Sequence, residues 1–280
     1  MNSMSLSRRQ WLAAAAATAA AASLPRRVFA ADAAQPKLGI QLYSLRGYDV
    51  NEALQHAADL GFEQVEFYSG MLPVDSTPEQ IAAMKKQVAD LGLSISAHGV
   101  NGLGGNSDKN RKIFEFAKAL GIPTITADPT TDSFDNLDEL VKEFDIRIAI
   151  HNHGPAARYN RVIDVLRAIE GRDERIGACA DLGHYIRSGE QPTDVIRSLK
   201  GRLYGVHLKD FAEMKERTEG VVLGKGHLDV EGVFFAMQEV GFPANGALSL
   251  EYEENPSNPL ADIRQCVKVA QAAMHKVATT

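Results

Sequence analysis

The feature that most restricts the fold of this chain is an alternation of short apolar strands with amphipathic helices after residue 37. Three of the predicted helices end in Leu-Gly directly before the next strand, in the segments DLGF, DLGL and ALGI. Glycine just past the last helical turn is a common stop signal. Parallel neighbouring strands need a crossover, usually a helix, so the repeat predicts parallel strands covered by helices.

Eight strand–helix pairs within 37–277 fit the usual size of a (β/α)8 barrel, which is an α/β fold made of one domain. A doubly wound open sheet is the alternative, but it normally carries a glycine-rich nucleotide turn after the first strand. Here that turn reads YSLRGYD. We therefore predict a TIM barrel with strands at 37–43, 62–67, 93–98, 122–127, 146–150, 176–179, 203–208 and 247–250.

The first thirty residues have the pattern of a cleaved export signal. The segment SRRQWL (7–12) resembles a twin-arginine motif, with Trp11 where Phe is more usual, and an alanine-rich run leads to a small-residue exit at Ala30. A membrane anchor is the alternative, but a span needs about 20 strongly apolar residues, and this run is shorter and more weakly apolar. We expect a signal at 1–30, a periplasmic barrel at 37–277 and no membrane association after cleavage.

The charge balance argues against polyanionic partners. The chain carries 30 Lys and Arg against 36 Asp and Glu, a net charge of −6; removing residues 1–30, with four arginines and no acid, leaves −10. Proteins that bind nucleic acid or anionic membranes usually present basic blocks, and this sequence has none. Two cysteines are too few for a disulfide scaffold. The expected partner is a small molecule; the sequence does not indicate the oligomeric state.

Four predicted strands in the second half each end on a residue able to bind a metal. The apolar runs of IRIAIHNHG, RIGACADLGH, RLYGVHLKD and ALSLEYE stop on His151, Asp181, His207 and Glu251. A single His or Asp at a strand end is more often a satisfied polar group than a ligand. In a parallel barrel, however, the carboxyl ends of all strands meet at one mouth. Four such residues on four successive strands therefore predict a divalent-metal site.

These segments, together with GIQLYSLR at the first strand, are similar to the xylose isomerase-like TIM-barrel superfamily over residues 37–277. Within it the chain resembles the group called sugar phosphate isomerase/epimerase, relatives of tagatose epimerases, hydroxypyruvate isomerases, inosose dehydratases and endonuclease IV. The motifs DLGH, VHLKD and SLEYE carry the resemblance through their order on successive strands.

The resemblance implies a metal held by Glu, Asp, His and Glu from strands five to eight. Asp181, His207 and Glu251 match that pattern, whereas His151 stands where the family commonly has the Glu of a Glu-Asn-His triplet. Two imidazoles with two carboxylates favour Mn, Zn, Co or Fe over Mg. In the family's isomerases both glutamates also exchange the substrate proton, so this replacement removes one of the two carboxylate bases.

Further residues are candidates for contact with substrate. His153 shares a face with His151 and is a supporting residue, a substrate contact or a rim residue. His184, three residues after Asp181, lies where relatives place a substrate-binding His. Glu66 ends the second predicted strand and is a substrate contact, a base or a member of a rim ion pair. His98 ends the third and is a substrate contact or a hydrogen-bonded core His. Lys209 could stabilise an oxyanion or pair with Asp210, and Gln41 and Arg46 are weaker candidates. The aromatic residues that could stack on a sugar are Tyr43, Phe67, Tyr68, Tyr185 and Phe211.

The predicted chemistry is enolisation of a keto sugar or related carbohydrate, as in sugar isomerases and epimerases, with Glu251 as base and His151, His153 or Glu66 as the other candidates. Elimination from a 3-keto-glycoside, which needs one base and one acid, is the second reading. A non-catalytic sugar-binding barrel would keep the pocket without the ligands. A metal-dependent endonuclease would need more ligands and a basic face.

Overall fold

The computed structural model describes residues 35–280, so the predicted export signal lies outside the described residues. Eight parallel strands close into a barrel in which each strand pairs with its neighbours in chain order and the first pairs with the last. The strands are β1 (Gly39–Gln41), β2 (Gln64–Phe67), β3 (Ser94–Leu103), β4 (Thr124–Pro129), β5 (Arg147–His151), β6 (Ile176–Asp181), β7 (Leu203–Leu208) and β8 (Ala247–Leu250). The predicted (β/α)8 architecture is confirmed.

Helices follow the strands and cover the outside of the barrel. They are α1 (Val50–Asp59), α2 (Pro78–Asp90), α3 (Ser107–Leu120), α4 (Phe134–Phe144), α5 (Val162–Ile169), α6 (Leu182–Arg187), α7 (Pro192–Ser198), α8 (Val230–Val240) and α9 (Leu260–Ala278). The core between strands and helices is aliphatic, with Ile40, Val65, Ile148 and Val206 fully buried. Burial of this apolar surface is the main force that holds the layers together.

Local sequence explains where the helices begin and end. Asp49 and Thr77 both form capping boxes, which satisfy backbone N–H groups left free in the first turns of α1 and α2. The three Leu-Gly stops are confirmed, because Gly61, Gly92 and Gly121 all adopt φ near +80°, a conformation that costs glycine little. The chain can therefore reverse within a residue or two and enter the next strand.

The structure differs from the prediction at four places near the mouth. Strand β1 stops at Gln41, whose side chain caps a 3-10 helix over Leu42–Leu45. Strand β3 continues past His98 to Leu103, with an irregular pairing against β4 between His98 and Asn101. The short helix α6 was not predicted, since six residues are too few to show a helical period. The predicted excursion 211–229 contains a hairpin of Asp210–Phe211 and Gly220–Val221.

Asp210 fixes this excursion to the barrel. Its buried carboxylate accepts hydrogen bonds from the backbone N–H groups of Gly224, Gly226 and Leu228 at 2.9 to 3.0 Å. The Asp210 side chain, one residue beyond Lys209, thus anchors the loop after β7. Among residues 35–280, no helix combines the length and the apolar character needed to cross a bilayer.

Candidate metal centre

The four predicted ligands meet at the carboxyl end of the barrel. His151, Asp181, His207 and Glu251 are all buried, and one donor atom from each lies within 4.8 Å of the others. Strand register produces this arrangement, since Asp181 pairs directly with His207, and His207 pairs with Ser249, two residues before Glu251. Parallel strands aligned in this way present their last side chains to one point.

Four atoms face one another across this point. His207 Nδ1 lies 3.1 Å from His151 Nε2 and 2.9 Å from Glu251 Oε2. Asp181 Oδ2 lies 3.6 Å from His151 Nε2 and 4.0 Å from His207 Nδ1. The donor set is therefore two imidazole nitrogens and two carboxylate oxygens.

The two carboxylate oxygens of Asp181 have different roles: one caps a helix, and the other faces the centre. Its Oδ1 accepts from the backbone N–H of His184 and so caps α6, while Asn152 forms two hydrogen bonds with the Asp181 backbone. Its Oδ2 faces the centre and lies 2.9 Å from Lys209 Nζ. Burial alone would raise the pKa of Asp181, but His184, Lys209 and His151 hold it well below its ordinary value. Buried charges are paired or coordinate metals, so this ionised oxygen, which faces the other donor atoms, is a candidate metal ligand.

Glu66 lies on the far side of His207 and is fully buried. Its Oε2 accepts from His207 Nε2 at 2.9 Å and from Ser249 at 2.8 Å, and its Oε1 accepts from Thr126 at 2.6 Å. Burial alone would raise the pKa of Glu66, but the charge and hydrogen bond of His207 and the two hydroxyls bring it below its ordinary value. Glu66 therefore keeps the proton on His207 Nε2 and leaves Nδ1 as the inward-facing nitrogen.

Lys209 is a buried cation beside the two ligand carboxylates. Its Nζ lies 2.9 Å from Asp181 Oδ2, 3.0 Å from Glu251 Oε2 and 2.9 Å from Glu253 Oε1. Burial alone would lower the pKa of Lys209, but these three carboxylates raise it above its ordinary value. In turn, Lys209 and His207 hold the pKa of Glu251 below its usual range despite burial. The carboxylates are therefore ionised and partly neutralised.

Two further histidines line the same mouth. The rings of His153 and His184 lie 4.7 Å and 6.1 Å from the ring of His151, centroid to centroid. Burial lowers the pKa of both, to about 3 for His184 despite the nearby Asp181. Both imidazoles are therefore neutral at physiological pH and available as donor and acceptor. His98 is instead buried under the rim, with Nε2 against the Leu72 carbonyl and Nδ1 against the Asn101 amide.

Several supporting residues were not found from the sequence. Asn152, Thr126 and Ser249 each make hydrogen bonds to Asp181 or Glu66, as described above. Gly183 leaves room for Lys209, because a Cβ at this position would lie 2.5 Å from Lys209 Cγ. Ser249 could have been found, since a strand side chain two residues before Glu251 faces the same side.

The donor set fits a divalent transition metal. Nitrogen with carboxylate oxygen suits Mn²⁺, Fe²⁺, Co²⁺ and Zn²⁺, whereas Mg²⁺ prefers oxygen alone. The outward nitrogen of His207 bonded to a carboxylate is the usual support of a metal-binding imidazole. This cluster could hold a metal, with His151 Nε2, His207 Nδ1, Asp181 Oδ2 and Glu251 Oε2 as its ligands.

Comparison with known proteins gives the family. The model of the xylose isomerase-like TIM barrel family matches residues 54–272, and the chain belongs to that family. An inosose dehydratase from Clostridium botulinum is 30% identical over 142 residues, which cover 44% of this chain and 47% of that protein. The chain thus spans about half the length of this curated relative.

Solved structures agree over most of the chain. A protein from Parabacteroides distasonis is 28% identical, with a TM-score of 0.67 over 85% of this chain and 98% of that one. An L-ribulose 3-epimerase has a TM-score of 0.69 over 88% of this chain and 96% of its own, at 17% identity, and so shares the fold. The expected superfamily is confirmed.

We expect Glu66→Gln to weaken metal binding without unfolding the barrel. Glutamine keeps the shape and can still accept from His207 Nε2, but it removes the charge that fixes the tautomer. Loss of such an outer carboxylate typically weakens metal affinity 10- to 100-fold. Titration calorimetry with Mn²⁺ and Zn²⁺ measures the change in affinity. Glu63→Gln, at an exposed position three residues earlier in the chain, is the matched control. Equal affinity in Glu66→Gln and Glu63→Gln would contradict the supporting role.

Proposed function

We propose that this protein is a divalent-metal-dependent enzyme that enolises a keto sugar or a related small carbohydrate. The observation that carries the proposal is the convergence of two imidazoles and two ionised carboxylates in a buried cluster at the barrel mouth. Active sites of such barrels lie at this end. A sugar-binding barrel without chemistry would have no reason to bury four donors around one point.

Each residue of the centre has its own role in this proposal. A bound cation would supply Lewis acidity, which makes the C–H next to a carbonyl more acidic. Glu251 is ionised at neutral pH and takes that proton, while the positive charge of its neighbour Lys209 stabilises the oxygen on which negative charge develops. His153 and His184 are neutral and orient hydroxyl groups of the sugar. Glu66 and Asn152 keep His207 and Asp181 in position.

We further propose that the enolate is resolved by β-elimination, which releases a hydroxyl or an alcohol from the neighbouring carbon. His151 replaces the second glutamate of the isomerases, so one carboxylate base remains among the ligands. The similarity to inosose dehydratase, whose name states the loss of water, supports the same outcome. Elimination needs one base and one acid, and Glu251 with Lys209 or His153 provides them.

Isomerisation or epimerisation is the second candidate. It would need a group that returns the proton to another carbon or to the opposite face. The His151 ring lies 4.7 Å from the ring of His153 and 4.8 Å from that of His207, the partner of Glu251, so His151 and His153 are the residues that would do so. Manganese, iron, cobalt or zinc is the expected metal, and the periplasm the expected location.

Two measurements test this proposal. Bound metal is determined by mass spectrometry on purified protein, and proton exchange is followed in deuterium oxide with free ketoses and 3-keto-glucosides. We expect deuterium at the carbon next to the carbonyl, together with release of the alcohol from the glucosides. Release establishes elimination, whereas a new ketose establishes isomerisation. Less than about half an equivalent of metal, with no exchange after adding Mn²⁺ or Co²⁺, would leave a sugar-binding barrel instead.

A further inference from the structure

The mouth of the barrel carries an apolar surface on the side of its first three strands. It consists of Tyr43, just after β1, Tyr68, just after β2, and Val100, in the outer part of β3; we call these three residues the apolar rim. Across residues 35–280, the large hydrophobic side chains that are most exposed are Tyr43, Val100 and Ile163. Two of the three therefore lie at the mouth, beside an otherwise polar centre.

The backbone around the rim is fixed by one buried amide. The Gln41 side chain, 2% exposed, accepts from the Tyr43 backbone N–H at 3.1 Å and donates to the Gly99 carbonyl at 3.3 Å. Tyr43 and Val100 are thus held on either side of a single side chain. Exposed hydrophobic residues scattered singly over a surface need no explanation, but here one buried side chain fixes the backbone at both Tyr43 and Gly99, next to Val100.

The two tyrosine rings are also held in place. They meet edge to face with centroids 5.3 Å apart, and the Arg46 guanidinium lies 4.4 Å from the centroid of Tyr43. Gly70 makes room for Tyr68, because a Cβ there would lie 2.3 Å from its ring. A ring fixed before binding loses little conformational freedom when a ligand packs on it.

Arg46 connects the rim to the metal centre. Its guanidinium donates to the Glu253 backbone carbonyl at 2.6 Å, and the Glu253 carboxylate bonds Lys209, which contacts Glu251. Three residues, Arg46, Glu253 and Lys209, therefore link Tyr43 to the proposed base. A ligand whose reacting carbon lay beside Glu251 would extend over the rim if it had a second ring.

We propose that the apolar rim binds the second ring of the substrate, so that the preferred substrate is a glycoside with an apolar or aromatic ring beyond the keto sugar. The inference rests on the proposed function and adds the substrate class. Planar rings pack on tyrosine faces and edges, and ligand pockets combine such apolar contacts with a few polar groups. Three side chains are too small a surface for a stable protein partner, which buries on the order of 800 Å² on each side.

The first test compares two reactive substrates, benzyl and methyl 3-keto-β-glucoside, which differ in the second ring but release alcohols of nearly equal acidity. We expect kcat/KM to be about tenfold higher for the benzyl compound in the wild type, and this ratio to fall close to one in Tyr43→Ala. Ile163→Ala, which removes the exposed apolar residue on the outer helix α5, is the matched control and should keep the wild-type ratio. Equal losses on both substrates in Tyr43→Ala would show a merely structural role and overturn the proposal.

The second test does not depend on catalysis. Unreactive phenyl and methyl β-glucoside are titrated into the wild type and Tyr43→Ala by calorimetry. The rim predicts about tenfold tighter binding of the phenyl glucoside in the wild type and loss of that preference in the variant. No preference in the wild type would overturn the proposal. A preference without turnover of any keto sugar would uphold the rim and refute the proposed chemistry.

Discussion

Glu251→Gln should abolish exchange of substrate protons with solvent deuterium, lowering the exchange rate by about a thousandfold or more. Glutamine is nearly isosteric and can still offer an oxygen to the metal, but it cannot accept a proton from carbon. The expectation follows from the position of Glu251, whose Oε2 lies 2.9 Å from His207 Nδ1 and 3.0 Å from Lys209 Nζ. The rate is followed by NMR of the substrate in deuterium oxide.

Loss of exchange must be separated from loss of metal. Bound metal is therefore quantified in the same samples, and exchange is measured at saturating Mn²⁺. Glu254→Gln, at an exposed position three residues further on, is the control and should retain wild-type exchange. If Glu251→Gln holds metal and still exchanges at a rate near that of the wild type, another group is the base, and His151 or His153 is the next to replace.

Asp181→Asn should remove most metal binding, with a dissociation constant weaker by about a hundredfold or more. The change deletes the charge of an oxygen that is fully buried and faces the three other donor atoms. It also leaves Lys209 with two carboxylate partners in place of three. Metal retained after dialysis, measured by mass spectrometry, gives the result directly.

Asp145→Asn is the matched control for this second prediction. Asp145 is exposed and has a φ of +53°, a conformation that asparagine tolerates well, so neither stability nor metal binding should change. Asp181→Asn that keeps a full equivalent of metal after dialysis would show that the cation, if any, is held elsewhere. The assignment of the centre would then have to be abandoned, although the barrel would remain.

The sequence predicted the barrel and the convergence of the four ligands because both depend on short-range patterns. A buried parallel strand reads as an apolar run, and a polar residue at its end can point only to the mouth. Strand β7 and strand β8 have the bounds predicted, and His207 and Glu251 follow from them directly.

The surroundings of the centre could not be predicted because they depend on contacts between distant strands. From the sequence, Glu66 resembles a substrate contact because it lies near the end of its strand. Its hydrogen bond with His207, 141 residues later in the sequence, forms only when the barrel closes. His98 is similar, since its ring bonds the carbonyl of Leu72 in the preceding loop. The helix α6 had a usable signal in the Asp181 cap, but its six residues show no period.

The barrel closes where β1 meets β8, along a short seam. Strand β1 has three residues and pairs with β8 at only two positions, Gly39 with Ser249 and Ile40 with Leu250, whereas β8 pairs with β7 at four. Local opening requires the least free energy where the fewest backbone hydrogen bonds must break. The pairing of β1 with β8 should therefore be the first part of the barrel to open locally. Because this edge carries Ser249 and adjoins Glu251, its transient opening would disturb the candidate metal centre before the protein unfolded.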